Sequence, residues 1–163
     1  MAKELFFDFN KTELENILVT GAGISNPSKI IELVTGKYYF DIKYAFEIAV
    51  NANVRKIKLS FKCDVNTFSK INDEKVDVSA NFDIAFFFQM STDIDADGQA
   101  SLFVISEDDG IRLTNIAYAT ARGIIFTRCQ GTVLKKLILP ILPNDQIREI
   151  LPSQMKNISG SAS

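Results

Sequence analysis

The amino-acid sequence predicts an α+β fold: an antiparallel, meander-like sheet followed by a long helix and a short C-terminal helix. Three observations carry this expectation. Segments 38–48, 57–65 and 76–88 alternate apolar and polar residues with period two, the mark of antiparallel strands with one wet face. A helical pattern runs from about Asp108 to Gln130. The stretch Leu137-Ile-Leu-Pro-Ile-Leu-Pro143 then breaks any regular element, because proline disrupts a helix interior and cannot sit in a central strand.

Taken in order, Leu14 to Gly23 is the ambiguous segment. Thr12 followed by Glu15 reads as a capping box and Gly21 as a helix stop, yet Ile17, Val19 and the glycines fit an edge strand ending at Asn26-Pro27 equally well. The next segment is unambiguous. Tyr38, Phe40, Ile42, Tyr44, Phe46 and Ile48 share one strand face, opposite Asp41, Lys43 and Glu47. Ile57, Leu59, Phe61, Cys63 and Val65 form the apolar face of the following strand, opposite Lys56, Lys58, Ser60, Lys62 and Asp64. The third carries Val76, Val78, Ala80, Phe82, Ile84, Phe86 and Phe88. From Ala85 to Phe88 both faces are apolar, which predicts cover on both sides. The polar links Asn51-Ala-Asn53 and Asn66 to Lys75 are short enough for a meander.

Ser106 with Asp109 suits the start of the long helix and Gly131 its stop. Ile116, Thr120, Gly123 and Thr127 form one stripe of it, and Leu113, Ala117 and Ile124 an adjoining one. Small residues at 117, 119, 121 and 123 admit a close neighbour, either the chain's own sheet or a helix of a second subunit. Beyond the proline-broken connector, Asn144 and Asp145 cap a short helix bearing Ile147, Ile150 and Leu151, ended by Pro152. Residues 1–152 are thus expected to make one domain and 153–163 a flexible tail.

Composition narrows the function. The 163 residues include no histidine and no tryptophan but 13 phenylalanines, so the commonest general base and metal ligand is missing. A net charge of −2 is the wrong sign for a dedicated nucleic-acid binder. The longest apolar runs are too short to span a bilayer, which excludes stable membrane insertion, and the N-terminus turns acidic within eight residues with no cleavable apolar region. A cytoplasmic location with two reduced thiols, Cys63 and Cys129, is the expectation. No cofactor or metal is implied. Asp93-Ile-Asp95-Ala-Asp97-Gly98 matches only the first half of a calcium loop, because its twelfth position is Val104, and it reads as an acidic turn. Gly21-Ala-Gly23 lacks the third glycine of a phosphate loop. Cys129 has no histidine to activate it. No catalytic constellation remains.

The order of the pieces is the strongest signal. Leu14-Glu-Asn-Ile-Leu-Val-Thr20, Ile24-Ser-Asn-Pro-Ser-Lys-Ile30, Phe40-Asp-Ile42, Ala121-Arg122, Gly131-Thr132, Leu137-Ile-Leu139 and Pro143, spread over roughly residues 14–152, together resemble the SecB-like protein-export chaperones. The resemblance favours a strand at Leu14 to Gly23. It implies a four-stranded antiparallel sheet with both helices packed on one face. It further implies a homotetramer, a dimer of dimers with the long helices between dimers, and so assigns the Ile116, Thr120, Gly123 and Thr127 stripe to a subunit interface. The implied function is a holdase that keeps unfolded preproteins competent for export and delivers them to the SecA motor. By the resemblance, apolar clients would lie on Tyr38, Phe40, Ile42 and Tyr44, with Leu137, Leu139, Ile141 and Ile147 near the connector and last helix.

Family members that dock on SecA often carry an acidic C-terminal tail, whereas here no acid follows Glu149. A solitary SecB-like chaperone for a dedicated client, such as a toxin–antitoxin component, is therefore the alternative, and a non-enzymatic assembly protein is a third reading. An enzyme built on a sheet-wrapped helix, as in hot-dog thioesterases, would need an acid or histidine on that helix. From Ile116 to Thr127 the only charged residue is Arg122.

Overall fold

A computed structural model describes residues 4–26, 37–51, 54–90 and 102–155. Its main body is a four-stranded antiparallel sheet of β2 (Thr12–Ser25), β3 (Tyr38–Asn51), β4 (Lys56–Ser69) and β5 (Lys75–Met90). The strands follow the alternating segments of the sequence. β3, β4 and β5 form the expected meander, with β3 and β4 in unbroken register from Tyr38 opposite Ser69 to Asn51 opposite Lys56. β2 does not continue that meander beside β3. It pairs with β5, giving the order β2-β5-β4-β3 of a Greek key.

The ambiguous N-terminal segment is therefore an edge strand. Gly23 sits opposite Asn81, and a Cβ placed on it would lie 2.6 Å from Asn81 Oδ1, so a larger residue there would make the Asn81 side chain move. Register shifts after Leu14 and after Val19 kink this edge. A second, two-stranded parallel ribbon joins β1 (Glu4–Phe6) to β6 (Leu102–Val104). Three-residue strands leave no readable periodicity, so neither is visible in the residue pattern.

Helix α1 spans Glu107–Cys129. Ser106 accepts a hydrogen bond from the Asp109 backbone N–H at 3.1 Å and donates to the Asp109 carboxylate at 2.8 Å. Three acids in the first turn favour the positive end of the helix dipole. Beyond the C-cap, Gly131 takes φ +76°, a conformation that costs other residues. Helix α2 spans Asn144–Met155 and so continues past Pro152, the residue expected to end it. Proline near a helix end disturbs only the last turn, which limits its cost. The Asp93–Gly98 turn lies outside the described residues. No helix among those residues is long and apolar enough to cross a membrane.

The core lies between one sheet face and the two helices. β4 contributes Ile57, Leu59, Phe61, Cys63 and Val65, β5 every second residue from Val78 to Met90, and β3 Phe46 and Ile48. α1 covers them with Ile111, Leu113, Ala117, Tyr118, Ala121, Ile125 and Cys129, and α2 adds Ile147 and Leu151. The opposite sheet face is wet, with cross-strand pairs such as Lys62–Glu47 at 3.7 Å and Lys56–Glu15 at 2.7 Å. At Ala85 to Phe88 the face turned away from the helices is covered in part: Ala85 is buried and Phe87 half-buried.

The centre of the core is aromatic. Phe46 packs 5.1 Å from Phe61 and 6.0 Å from Tyr118, edge-to-face with the latter. Phe46→Ala should lower the stability measured by urea denaturation by about 3–5 kcal/mol. A change below about 1 kcal/mol would contradict this packing. Burial also pushes the Cys63 thiol up to about 12, with smaller contributions from Asp64 and Cys129. The folded chain therefore holds a proton that the unfolded thiol releases above its ordinary 9.0. Stability should be insensitive to this group below that value and fall as pH rises between the two. Urea midpoints across the window should fall less steeply for Cys63→Ala than for the parent chain.

Candidate functional site

Two apolar surfaces are left over once the core is closed. The first begins on β3. Its inward residues divide along the strand: Phe46 and Ile48 are buried, whereas Tyr38, Phe40, Ile42 and Tyr44 are each half-buried. The helices cover one half of β3 better than the other, leaving an apolar strip at an edge strand. Within its floor, Thr67 stands opposite Phe40, fully buried, and its hydroxyl makes no hydrogen bond.

The connector between the helices adds to this surface. In an extended segment alternate residues face opposite ways, which sets Leu137 and Leu139 inward beside Leu134; the alternation breaks at Pro140, and Leu142 is the next residue to turn inward. Ile138 and Ile141 turn outward and are 65% and 77% exposed. Backbone hydrogen bonds to α1 hold this arrangement. The Tyr118 hydroxyl donates to the Pro140 carbonyl at 2.7 Å, and Arg122 Nε donates to the Leu139 carbonyl at 3.1 Å. Tyr118 also lies 6.1 Å from the Tyr44 ring, so one side chain bridges the β3 strip and the connector. Its desolvated ring environment holds the phenol well above the usual tyrosine range, so at neutral pH it is a donor.

Of the eight residues the resemblance assigned to client contact, five keep an accessible surface: Tyr38, Phe40, Ile42, Tyr44 and Ile141. Leu137, Leu139 and Ile147 are buried at 1%, 3% and 0% exposure. They form the underside that positions the connector and α2. Ile138, exposed on the outward side, lay outside that assignment. Its signal was the alternation itself, which sets it opposite Leu137 and Leu139.

The second surface is the outward side of α1. Ile116, Thr120, Gly123 and Thr127, the stripe singled out in the sequence, lie together there, while Leu113 and Ala117 face the core. A shallow trough of about 620 Å³ runs along Ala119, Thr120, Gly123, Ile124, Thr127 and Arg128. The two threonines are less polar than they look. Thr120 Oγ1 donates to the Ile116 carbonyl and Thr127 Oγ1 to the Gly123 carbonyl, both at 2.9 Å, so their hydroxyls are satisfied within the helix. Among the described residues no atom lies within 4 Å of a Cβ placed on Gly123. Phe126, 46% exposed, stands nearby on the same helix.

No protein-family model and no curated protein matches this chain. Among solved structures, the chain is similar to a SecB-like chaperone of Mycobacterium tuberculosis in complex with a ChAD peptide from the HigA1 antitoxin. The two share 14% identity and a TM-score of 0.57, over 82% of this chain and 92% of that one. The fold is thus SecB-like. A protein of unknown function from Streptococcus agalactiae also aligns, at 10% identity and a TM-score of 0.34, over 81% of this chain and 96% of that one.

Tyr118→Phe removes the bond to Pro140 while keeping the ring. It should cost about 0.5–1.5 kcal/mol in urea denaturation and speed amide exchange in the connector more than in the sheet. Unchanged exchange at residues 137–142 would show that this bond does not hold the connector.

Proposed function

We propose that the protein is a chaperone of the holdase type that binds unfolded polypeptide on the β3 strip and the outward side of the connector. The observation that carries this reading is the pairing of half-buried Tyr38, Phe40, Ile42 and Tyr44 with exposed Ile138 and Ile141 on a SecB-like fold. Exposed apolar residues held in place by buried ones mark a binding surface. Each 100 Å² of apolar area covered contributes about 2.5 kcal/mol gross at ~25 cal/mol per Å². Much of that offsets the ordering of the client. The outcome is reversible binding with little sequence preference, as a holdase requires. β3 is also an edge strand in unbroken register, so its free backbone groups can add contacts that ignore client sequence.

On this reading the clients are preproteins kept competent for export in the cytoplasm and passed to SecA, and no cofactor takes part. The working form is a homotetramer, a dimer of dimers, joined in part through the Ile116, Thr120, Gly123 and Thr127 face of α1. The likeness to a chaperone holding an antitoxin peptide supports a second reading, a dedicated client instead of many.

Suppression of aggregation of several unrelated unfolded proteins separates the two. General suppression supports the holdase, and suppression of none but a cognate partner supports the dedicated form. Ile141→Asp and Phe40→Asp should each reduce suppression at least severalfold in a still-folded protein. Ile141 is the cleaner site, because charge on an exposed residue leaves the core intact. Full activity of both variants would sink the assignment of the surface. For the oligomer, light scattering should give a mass near four chains. Gly123→Lys should lower that mass without loss of helix content, since among the described residues no atom lies within 4 Å of a Cβ placed there. A protein that is monomeric before substitution would exclude the α1 interface.

A further inference from the structure

Two side chains in the core keep a hydroxyl that the fold does not use. Thr67 on β4 and Thr114 on α1 are both 0% exposed, and among the described residues neither Oγ1 has a hydrogen-bond partner. A buried hydroxyl loses its water without a bond in exchange, so it destabilises the folded chain. Valine has the same shape and no hydroxyl to desolvate. On β4 it would also continue the pattern, since Ile57, Leu59, Phe61, Cys63 and Val65 precede position 67 on the inward face.

Thr67 differs from Thr114 in where it lies. It stands opposite Phe40 on β3, the edge strand, so the β3 strip is what separates it from the sheet edge. On its other side the ladder to β5 is irregular. Asn66 pairs with Ser79 but Thr67 with Val76, which passes over Asp77 and Val78. Such irregularities re-aim side chains and recur beside binding sites. Phe40 itself is half-buried. Tyr44, on the same strip, is held by Phe46 at 6.3 Å and Tyr118 at 6.1 Å, whereas Phe40 packs on no ring among the described residues. Turning Phe40 aside therefore breaks no ring contact and opens the way to Thr67 Oγ1 from the edge.

We infer that Thr67 is a client-binding residue: with Phe40 turned aside, its hydroxyl donates to a main-chain carbonyl of the segment lying on the strip. This rests on the client-binding reading above and adds a named polar contact to it. Every client has main-chain carbonyls, so the bond adds affinity without sequence preference. It also gives the orphaned hydroxyl a partner that is present in the complex alone.

The test uses the full chain and a labelled, end-blocked peptide of alternating apolar and serine residues. Urea midpoints and peptide affinity by fluorescence anisotropy are measured for each variant. Thr67→Val should raise the midpoint yet weaken the peptide roughly three- to tenfold. Thr67→Ser keeps the donor and should retain most of the affinity. Thr114→Val removes the other orphaned hydroxyl, in the helix layer, and should raise the midpoint with peptide binding unchanged. If Thr67→Val lowers the midpoint, the hydroxyl is already satisfied in the free chain and the inference is overturned. Equal weakening by Thr114→Val overturns it too, because the effect is then not local to the strip. Unchanged binding by Thr67→Val also overturns it and leaves the client-binding reading intact. A parent protein that binds no peptide removes both.

Discussion

Tyr118 is the side chain on which the rest of the arrangement depends. Its ring closes the aromatic cluster with Phe46, Phe61 and Tyr44, joining α1 to the sheet. Its hydroxyl holds the Pro140 carbonyl, joining α1 to the connector. A segment with prolines at 140 and 143 has few backbone hydrogen bonds of its own to fix it. Donors from α1 supply that order, and the inward leucines complete it. Ile138 and Ile141 are exposed because Leu137, Leu139 and Leu142 are buried beneath them. Core and candidate site are therefore opposite sides of one short segment.

The same economy applies to α1. Its inward side carries Leu113, Ala117, Ala121 and Ile125 against the sheet, and Ala117 and Ala121 permit close approach. Its outward side repeats small residues at 119 and 123 and back-bonds its threonines. A helix with small residues on two sides can serve two layers. Among the described residues just one of those sides is covered. A guanidinium at 122 lies at the boundary, beside the connector.

Much of the fold was legible because period-two alternation over nine or more residues is hard to satisfy otherwise. β3, β4, β5, α1 and its caps were read directly. Leu14 to Gly23 was not, because glycines and cap-like residues serve an edge strand as well as a short helix. Only the order of the pieces, through the family resemblance, favoured the strand, and its pairing with β5 bears that out. The strand order was hidden for the same reason: local pattern fixes which face a residue takes but not which neighbour a strand finds. Within the site, residue type identified the apolar surplus but could not divide it between core and surface. Leu139 and Ile141 are alike in chemistry, and an intervening proline puts one inside and the other out.

The most direct test of the account is site-specific photo-crosslinking to an unfolded client. A photoreactive phenylalanine analogue would be placed singly at Phe40, at Ile141 and, on the opposite sheet face, at Lys62. Client adducts are expected from positions 40 and 141, competed by excess unlabelled client, and none above background from 62. Adducts from position 62 alone, or equally from all three, would contradict it and place client contact elsewhere on the molecule.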